Sequence, residues 1–168
     1  MFTIKSPAII NEKIDPKYGK YSEVKYKEFP VISPPILWDN PPDITKSFAL
    51  VLQDYDAYPR SGFSVIHWIV ADIPADRREL PENASRDESS LIQGKNVLIS
   101  RFLPGNGPDL TDYYLGPGPV DFPHEYELKL FAVDTVLGLK KGFYYNELIK
   151  ALRGHVLDEA VLYGLYDN

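Results

Sequence analysis

Two stretches of the chain are apolar almost without interruption. Thr45–Asp54 (TKSFALVLQD) and Phe63–Ile73 (FSVIHWIVADI) are rich in β-branched residues and end in turn formers, a pattern that predicts strands. With no polar face between their apolar positions, both strands are expected to be covered on two sides, as in the middle of a sandwich. On the second of them, alternation puts His67 on the face of Val65 and Ile69. Glu125–Asp134 (EYELKLFAVD) alternates instead, with Tyr126, Leu128, Leu130 and Ala132 on one face. Val97–Phe102 predicts a shorter strand, and Val24–Phe29 a weaker one.

A helical pattern occurs only near the C-terminus. Tyr144–Arg153 (YYNELIKALR) is built of helix formers and stopped by Gly154, with Asn146 as its candidate cap and Lys150 and Arg153 near its negative end. His155–Ala160 reads as a second short helix; Val161–Tyr166 either continues it or forms a final strand. The remaining segments are punctuated. Ser33–Asp43 holds four prolines, which predicts a stiff, extended loop anchored by Leu37 and Trp38. Ala75–Gln93 is polar and expected to wrap the surface. Leu103–Pro123 carries four glycines and five prolines, and an irregular connection of that length is usually functional. Nothing resembles a linker, so residues 1–168 read as one domain.

Composition supports a sheet protein: 15 prolines accompany 12 tyrosines and 8 phenylalanines in 168 residues. A chain of that length buries a core without disulfides or metals. It has no cysteine, which removes thiolate chemistry and iron–sulfur clusters and suits a reducing cytoplasm. The net charge is −6 and basic residues are not clustered, so neither nucleic acid nor an anionic membrane is an expected partner. Polar residues interrupt Met1–Ile14, so no signal peptide is read there. The longest apolar segments fall well short of the ~20 residues that span a bilayer, so no integral membrane association is expected.

The chemically versatile residues fall at the ends of the predicted central strands. Asp54 and Asp56 bracket Tyr55 where the first strand ends. His67 lies within the second, and His124 stands two residues before Tyr126, on its face. Each has an ordinary explanation. A histidine in an apolar strand is more often a hydrogen-bonded core residue than a catalyst, Asp-x-Asp is common turn chemistry, and Gly116-Pro117-Gly118-Pro119 alone is a loop. Phosphate-loop, dinucleotide and nucleophile-elbow signatures are absent. Asp54, Asp56, His67 and His124 could in principle ligate a metal, but no metalloenzyme spacing supports it; no metal and no cofactor are expected.

The order of motifs carries a family resemblance. SPPILW (Ser33–Trp38), KSFALVLQDYDAYP (Lys46–Pro59), IHWIVADIP (Ile66–Pro74), YLGPGPVDFPHEYELKLFAVD (Tyr114–Asp134) and GHVLDEAVLYGLY (Gly154–Tyr166) together resemble the phosphatidylethanolamine-binding protein family. They are closest to its bacterial and archaeal branch, often labelled Raf-kinase-inhibitor-like. The resemblance implies a mainly β fold of two packed sheets, sandwich-like, with short helices near the C-terminus. It also implies a small pocket for phosphate or a phospholipid headgroup, formed by Asp54, Asp56, His67, Gly116, Pro117, His124 and Tyr126. The sequence departs from the family pattern in several places. Tyr55 stands for the usual proline between the aspartates, Tyr58 is inserted before Pro59, and Glu125 replaces an arginine that would supply positive charge. Val97–Asp112 also differs from the family's Asn-x-Phe-Gly stretch.

The leading expectation is a non-enzymatic, cytoplasmic binding protein for a small anionic ligand, with imidazole, phenol and loop amides as donors and the aspartates orienting the histidines. A second is a regulator that inhibits a protein kinase or protease through a surface around the pocket, as eukaryotic relatives do. A third is a hydrolase with His67 or His124 as base. Exposed aromatics are compatible with a dimer without requiring one.

Overall fold

The three patterned segments become neighbours in one sheet. In the computed structural model, which describes residues 1–102 and 108–168, they form β7 (Ser47–Asp54), β8 (Val65–Pro74) and β11 (His124–Val133). Residues 103–107 of the long irregular connection lie outside the described residues. The sheet has seven strands in the order β10-β8-β7-β11-β12-β3-β2. Its remaining members are β2 (Ile9–Ile10), β3 (Lys13–Ile14), β10 (Ile92–Gln93) and β12 (Val156–Tyr166). A second sheet of three strands packs against it, with β6 (Ile36–Asp39) between β1 (Thr3–Lys5) and β9 (Glu79–Leu80). This is the two-sheet, mainly β architecture expected from the sequence.

All eight residues of β7 are buried, because each of its faces has a cover. Phe48, Leu50 and Leu52 point into the core between the sheets, with Ile36, Trp38, Trp68, Leu128 and Leu130. Ala49 and Val51 point the other way, under α3 (Tyr145–Leu152), where Ile69, Phe143, Leu148 and Leu152 close a second core. A fully buried large apolar side chain contributes about 1.5–3 kcal/mol, so both faces hold the strand in place. The alternation of β11 is as read: Tyr126, Leu128, Leu130 and Ala132 are all buried in the inter-sheet core.

Two irregularities in β8 matter. Leu52 pairs with Trp68 but Gln53 pairs with Ile66, which leaves His67 as the extra residue of a β-bulge. The bulge breaks the alternation. Ile69 therefore faces the helix-covered core, while the His67 ring sits 5.1 Å from that of Tyr126, edge to face, at the inter-sheet side. His67 thus does not share the face of Ile69. At the other end Asp72 takes a positive φ of 55°, and its carboxylate accepts the Leu137 and Gly138 amides.

Several local readings are overturned by pairing. His155–Ala160 is not helical: Val156–Tyr166 is one strand along the whole of β11, and ladder hydrogen bonds outweigh local propensity. The proline-rich Ser33–Asp43 holds β6, with Ile36 and Trp38 as the buried anchors and Leu37 only half-buried. Val97–Phe102 contains a 3-10 turn, Val97–Ile99, because the Asn96 side chain accepts the Leu98 amide and starts a turn. Val24–Phe29 forms a hairpin of β4 (Lys25–Tyr26) and β5 (Phe29–Pro30). Helix α3 is capped at Tyr144 rather than Asn146, with the Glu147 carboxylate accepting the Tyr144 amide at 2.7 Å. Ala75–Gln93 does more than wrap the surface. Leu80, Ala84, Leu91 and Gln93 are buried, and the segment includes β9 and α2 (Ala84–Asp87); the remaining helix, α1 (Tyr58–Ser61), is one turn after β7.

Candidate functional site

The inward row of β7 runs Phe48, Leu50, Leu52 and then Asp54; that of β11 begins with His124 before Tyr126 and Leu128. The apolar face therefore ends in polar residues at one end of the sheet. A cleft of about 420 Å³ opens there. Its floor is Asp54, His67, His124 and Tyr126, all buried. Phe29, Val65, Leu98 and Leu115 form apolar walls, and Lys20, Glu28, Arg60 and Asp121 stand toward the mouth.

Hydrogen bonds fix each floor residue. Asp54 uses one carboxylate oxygen to accept the Ala57 amide at 3.1 Å and the other to meet His124 Nδ1 at 2.8 Å. His124 Nε2 lies 3.0 Å from an oxygen of Asp121, so both ring nitrogens face carboxylates. Only the doubly protonated imidazole donates to both at once. The Tyr126 hydroxyl lies within bonding reach of Asp54 and of the Gly118 amide. Burial, reinforced by the Asp54 charge, pushes its pKa well above the ordinary tyrosine value. The phenol is thus a neutral donor at any working pH. His67 Nδ1 lies 2.8 Å from the Leu115 carbonyl. Desolvation by burial lowers its pKa despite the raising effects of Asp54 and Leu115, and nearby His124 lowers it further.

These bonds qualify the donor inventory expected from the sequence. With each Nδ1 committed to an acceptor, a neutral ring presents a lone pair at Nε2. A histidine here donates to an anion only as imidazolium. The carboxyl of Asp121 feels burial, which raises its pKa, but the Phe122 amide, its own amide and His124 outweigh this and lower it. It is an ionised acceptor beside that ring.

The wall loop is pinned by distant parts of the chain. The Leu115 amide donates to the His67 carbonyl, Gly116 to Pro30, and Lys20 to Pro117, while Lys20 Nζ reaches the Pro119 carbonyl. A Cβ on Gly116 would lie 2.4 Å from the Tyr18 carbonyl oxygen and under 3 Å from the Pro30 ring, so only glycine permits this approach. Behind the loop, a buried polar network holds Tyr114. Trp68 Nε1 and the Ser85 hydroxyl both donate to Gln93 Oε1, Gln93 Nε2 donates to the Ser85 carbonyl, and the Tyr114 amide donates to Ser85 Oγ.

Of the seven residues expected at the pocket, Asp54, His67, Gly116, His124 and Tyr126 line the cleft. Asp56 does not: its carboxylate accepts the Glu125 amide at 2.8 Å and braces the start of β11 from outside. Pro117 faces a small interior gap beside Ser6, Ala8 and Trp68, and only its carbonyl, bonded to Lys20, serves the loop. Glu125 is exposed and also lies off the lining. Lys20, Arg60 and Asp121 also line the cleft, which no sequence pattern indicates beyond the three-residue spacing of Asp121 and His124. No cluster of three or more histidine, cysteine or carboxylate groups suited to a metal occurs among the described residues, and none of their helices is long and apolar enough to cross a membrane.

Fold and cleft together define a two-sheet β protein with a histidine–carboxylate cleft at the end of its larger sheet. A model of the phosphatidylethanolamine-binding protein family matches residues 5–167, and the chain belongs to that family. It is 43% identical over 152 residues to YxkA of Bacillus subtilis, covering 89% of this chain and 90% of that one. A UPF0098 protein of Methanothermobacter thermautotrophicus is 40% identical over 138 residues, covering 80% of this chain and 82% of its own. Among solved structures, a Chlamydia trachomatis homologue of the family superposes with a TM-score of 0.80 at 27% identity, over 99% of this chain and 97% of that one. Escherichia coli YbcL, described as a new member of the mammalian family, gives 0.78 at 25% identity, over 99% and 98%.

Proposed function

We propose that the chain is a non-enzymatic binding protein for a small ligand bearing a phosphate or carboxylate group, held at the floor of the cleft by His124. The observation that carries this reading is the buried Asp54–His124 pair, which fixes Nδ1 of the ring and leaves Nε2 toward the cleft. Tyr126 stays a neutral phenol beside the Asp54 carboxylate and helps to hold it. Arg60 lines the mouth, and its guanidinium makes no hydrogen bond or ion pair among the described residues, so it is available. Apolar walls favour a ligand that also carries a hydrophobic part. Binding is favoured over hydrolysis by Ser61, a serine of the lining. Its hydroxyl engages the Ala57 and Phe63 carbonyls and neither histidine. Function in the cytoplasm, suited to a chain without cysteine, belongs to the same proposal.

The test is a thermal-shift series with phosphate, acetate, phosphoethanolamine and buffer alone, on the wild type and His124→Ala. A ligand at a hundred times its dissociation constant stabilises the native state by about 2.7 kcal/mol. A shift confined to the wild type supports the reading; equal shifts in both proteins refute it.

A second reading, inhibition of a protein kinase or protease, is favoured by the loop at the cleft mouth, where Val120 and Phe122 are exposed. Val120→Asp and Phe122→Asp would then abolish inhibition while leaving phosphate binding intact.

A further inference from the structure

His124 uses one nitrogen for Asp54, so only Nε2 remains to contact a ligand. An oxygen of Asp121 already sits on it at 3.0 Å. Chemically, a carboxylate oxygen on an imidazole nitrogen is what an acetate or phosphate oxygen would be. The group comes from the cleft's own loop, three residues before the histidine. The Asp54 side chain is 5% exposed and that of Asp121 31%, so the first is a fixed part of the floor and the second can swing outward. Its neighbours Val120 and Phe122 are exposed as well. Two amide contacts hold the segment in its inward position: the Phe122 amide donates to the Asp121 carboxylate, and Asn168 Nδ2 donates to the Asp121 carbonyl.

We propose that Asp121 is a built-in competitor for the anion position and so a determinant of ligand choice: an anion reaches His124 by displacing the Asp121 carboxylate. This rests on the reading of the cleft as an anion site and adds to it. Binding becomes an exchange of one oxyanion for another. A monoanionic carboxylate gains little over the group it displaces, whereas a phosphate dianion brings more charge and more oxygens. The cleft therefore discriminates against simple carboxylates without any group that repels them. The occupied state also weakens every ligand, because apparent affinity scales with the fraction of molecules in which the position is free. If the contact is formed about nine-tenths of the time, its removal tightens binding about tenfold.

Calorimetric titration with inorganic phosphate and with acetate, on the wild type, Asp121→Asn and Asp121→Ala, tests this. Both variants are expected to bind phosphate about tenfold more tightly, to bind acetate detectably, and to lose the gain when His124→Ala is added. Phosphate binding by the variants with none by the wild type would support the same mechanism. Wild-type binding that is unchanged or weakened in the variants would overturn the competitor role while leaving the anion site standing. No phosphate binding in any of the three proteins would overturn the anion reading, and this inference with it.

Discussion

His67 and Leu115 are joined twice: the Leu115 amide donates to the His67 carbonyl at 3.0 Å, and His67 Nδ1 meets the Leu115 carbonyl at 2.8 Å. The pairing ties the bulge in β8 to the loop that walls the cleft, and it selects the Nδ1–H form of a neutral ring. Stability should therefore depend on pH through this residue. Burial lowers its folded pKa below the ordinary 6.5, so the unfolded chain binds the proton more readily. Its contribution is fully present above 6.5 and is lost as pH falls toward the folded value. Urea unfolding at neutral and mildly acidic pH, on the wild type and His67→Gln, should show a steeper loss in the wild type. Equal slopes would refute this account.

Replacing Gly116 by alanine should damage stability and the cleft together. The added methyl meets the Tyr18 carbonyl and the Pro30 ring, neither of which is a flexible side-chain end. A cost of about 1–3 kcal/mol in unfolding free energy is expected, with weaker phosphate binding because the loop must shift. Ala substituted at Gly62, where no atom lies within 4 Å, is strained only by its φ of 80° and should leave phosphate affinity nearly unchanged.

Gln93→Leu should cost more than its size suggests. It strands the Trp68 indole N–H, the Ser85 hydroxyl and the Ser85 carbonyl in the interior, at about 1–3 kcal/mol for each group left without a partner. Thermal unfolding reads the loss; a variant as stable as the wild type would show that the network contributes little.

How much of this was legible depended on whether a feature is local. The central strands could be read because their apolar residues face two covers or one, and the sequence records that directly. Periodicity alone puts His124 and Tyr126 on one face and Asp54 at a strand end; that they belong to one pocket is what the family resemblance implies. Alternation places His67 on the face of Ile69, because a bulge opposite Leu52 and Gln53 leaves no mark in local periodicity. Val156–Tyr166 was obscured for a related reason. Its exposed outer residues give HVLDEA a helical look, and only the ladder to β11 decides otherwise. Strands of two to four residues such as β1, β6 and β9 take their order from the opposite sheet. Asp121, Lys20 and Arg60 reach the cleft through loop closure, which pattern alone does not foretell.

The pinned wall loop also bears on how the molecule is assembled in time. Its ties join residues 48 and 99 positions apart in sequence, Leu115 to His67 and Pro119 to Lys20. Closing such long loops costs entropy before any contact repays it, which slows folding relative to local structure. The cleft is therefore expected to mature late, after the β7–β8 and β11–β12 ladders, and ligand affinity becomes a stopwatch for the last step to the native state.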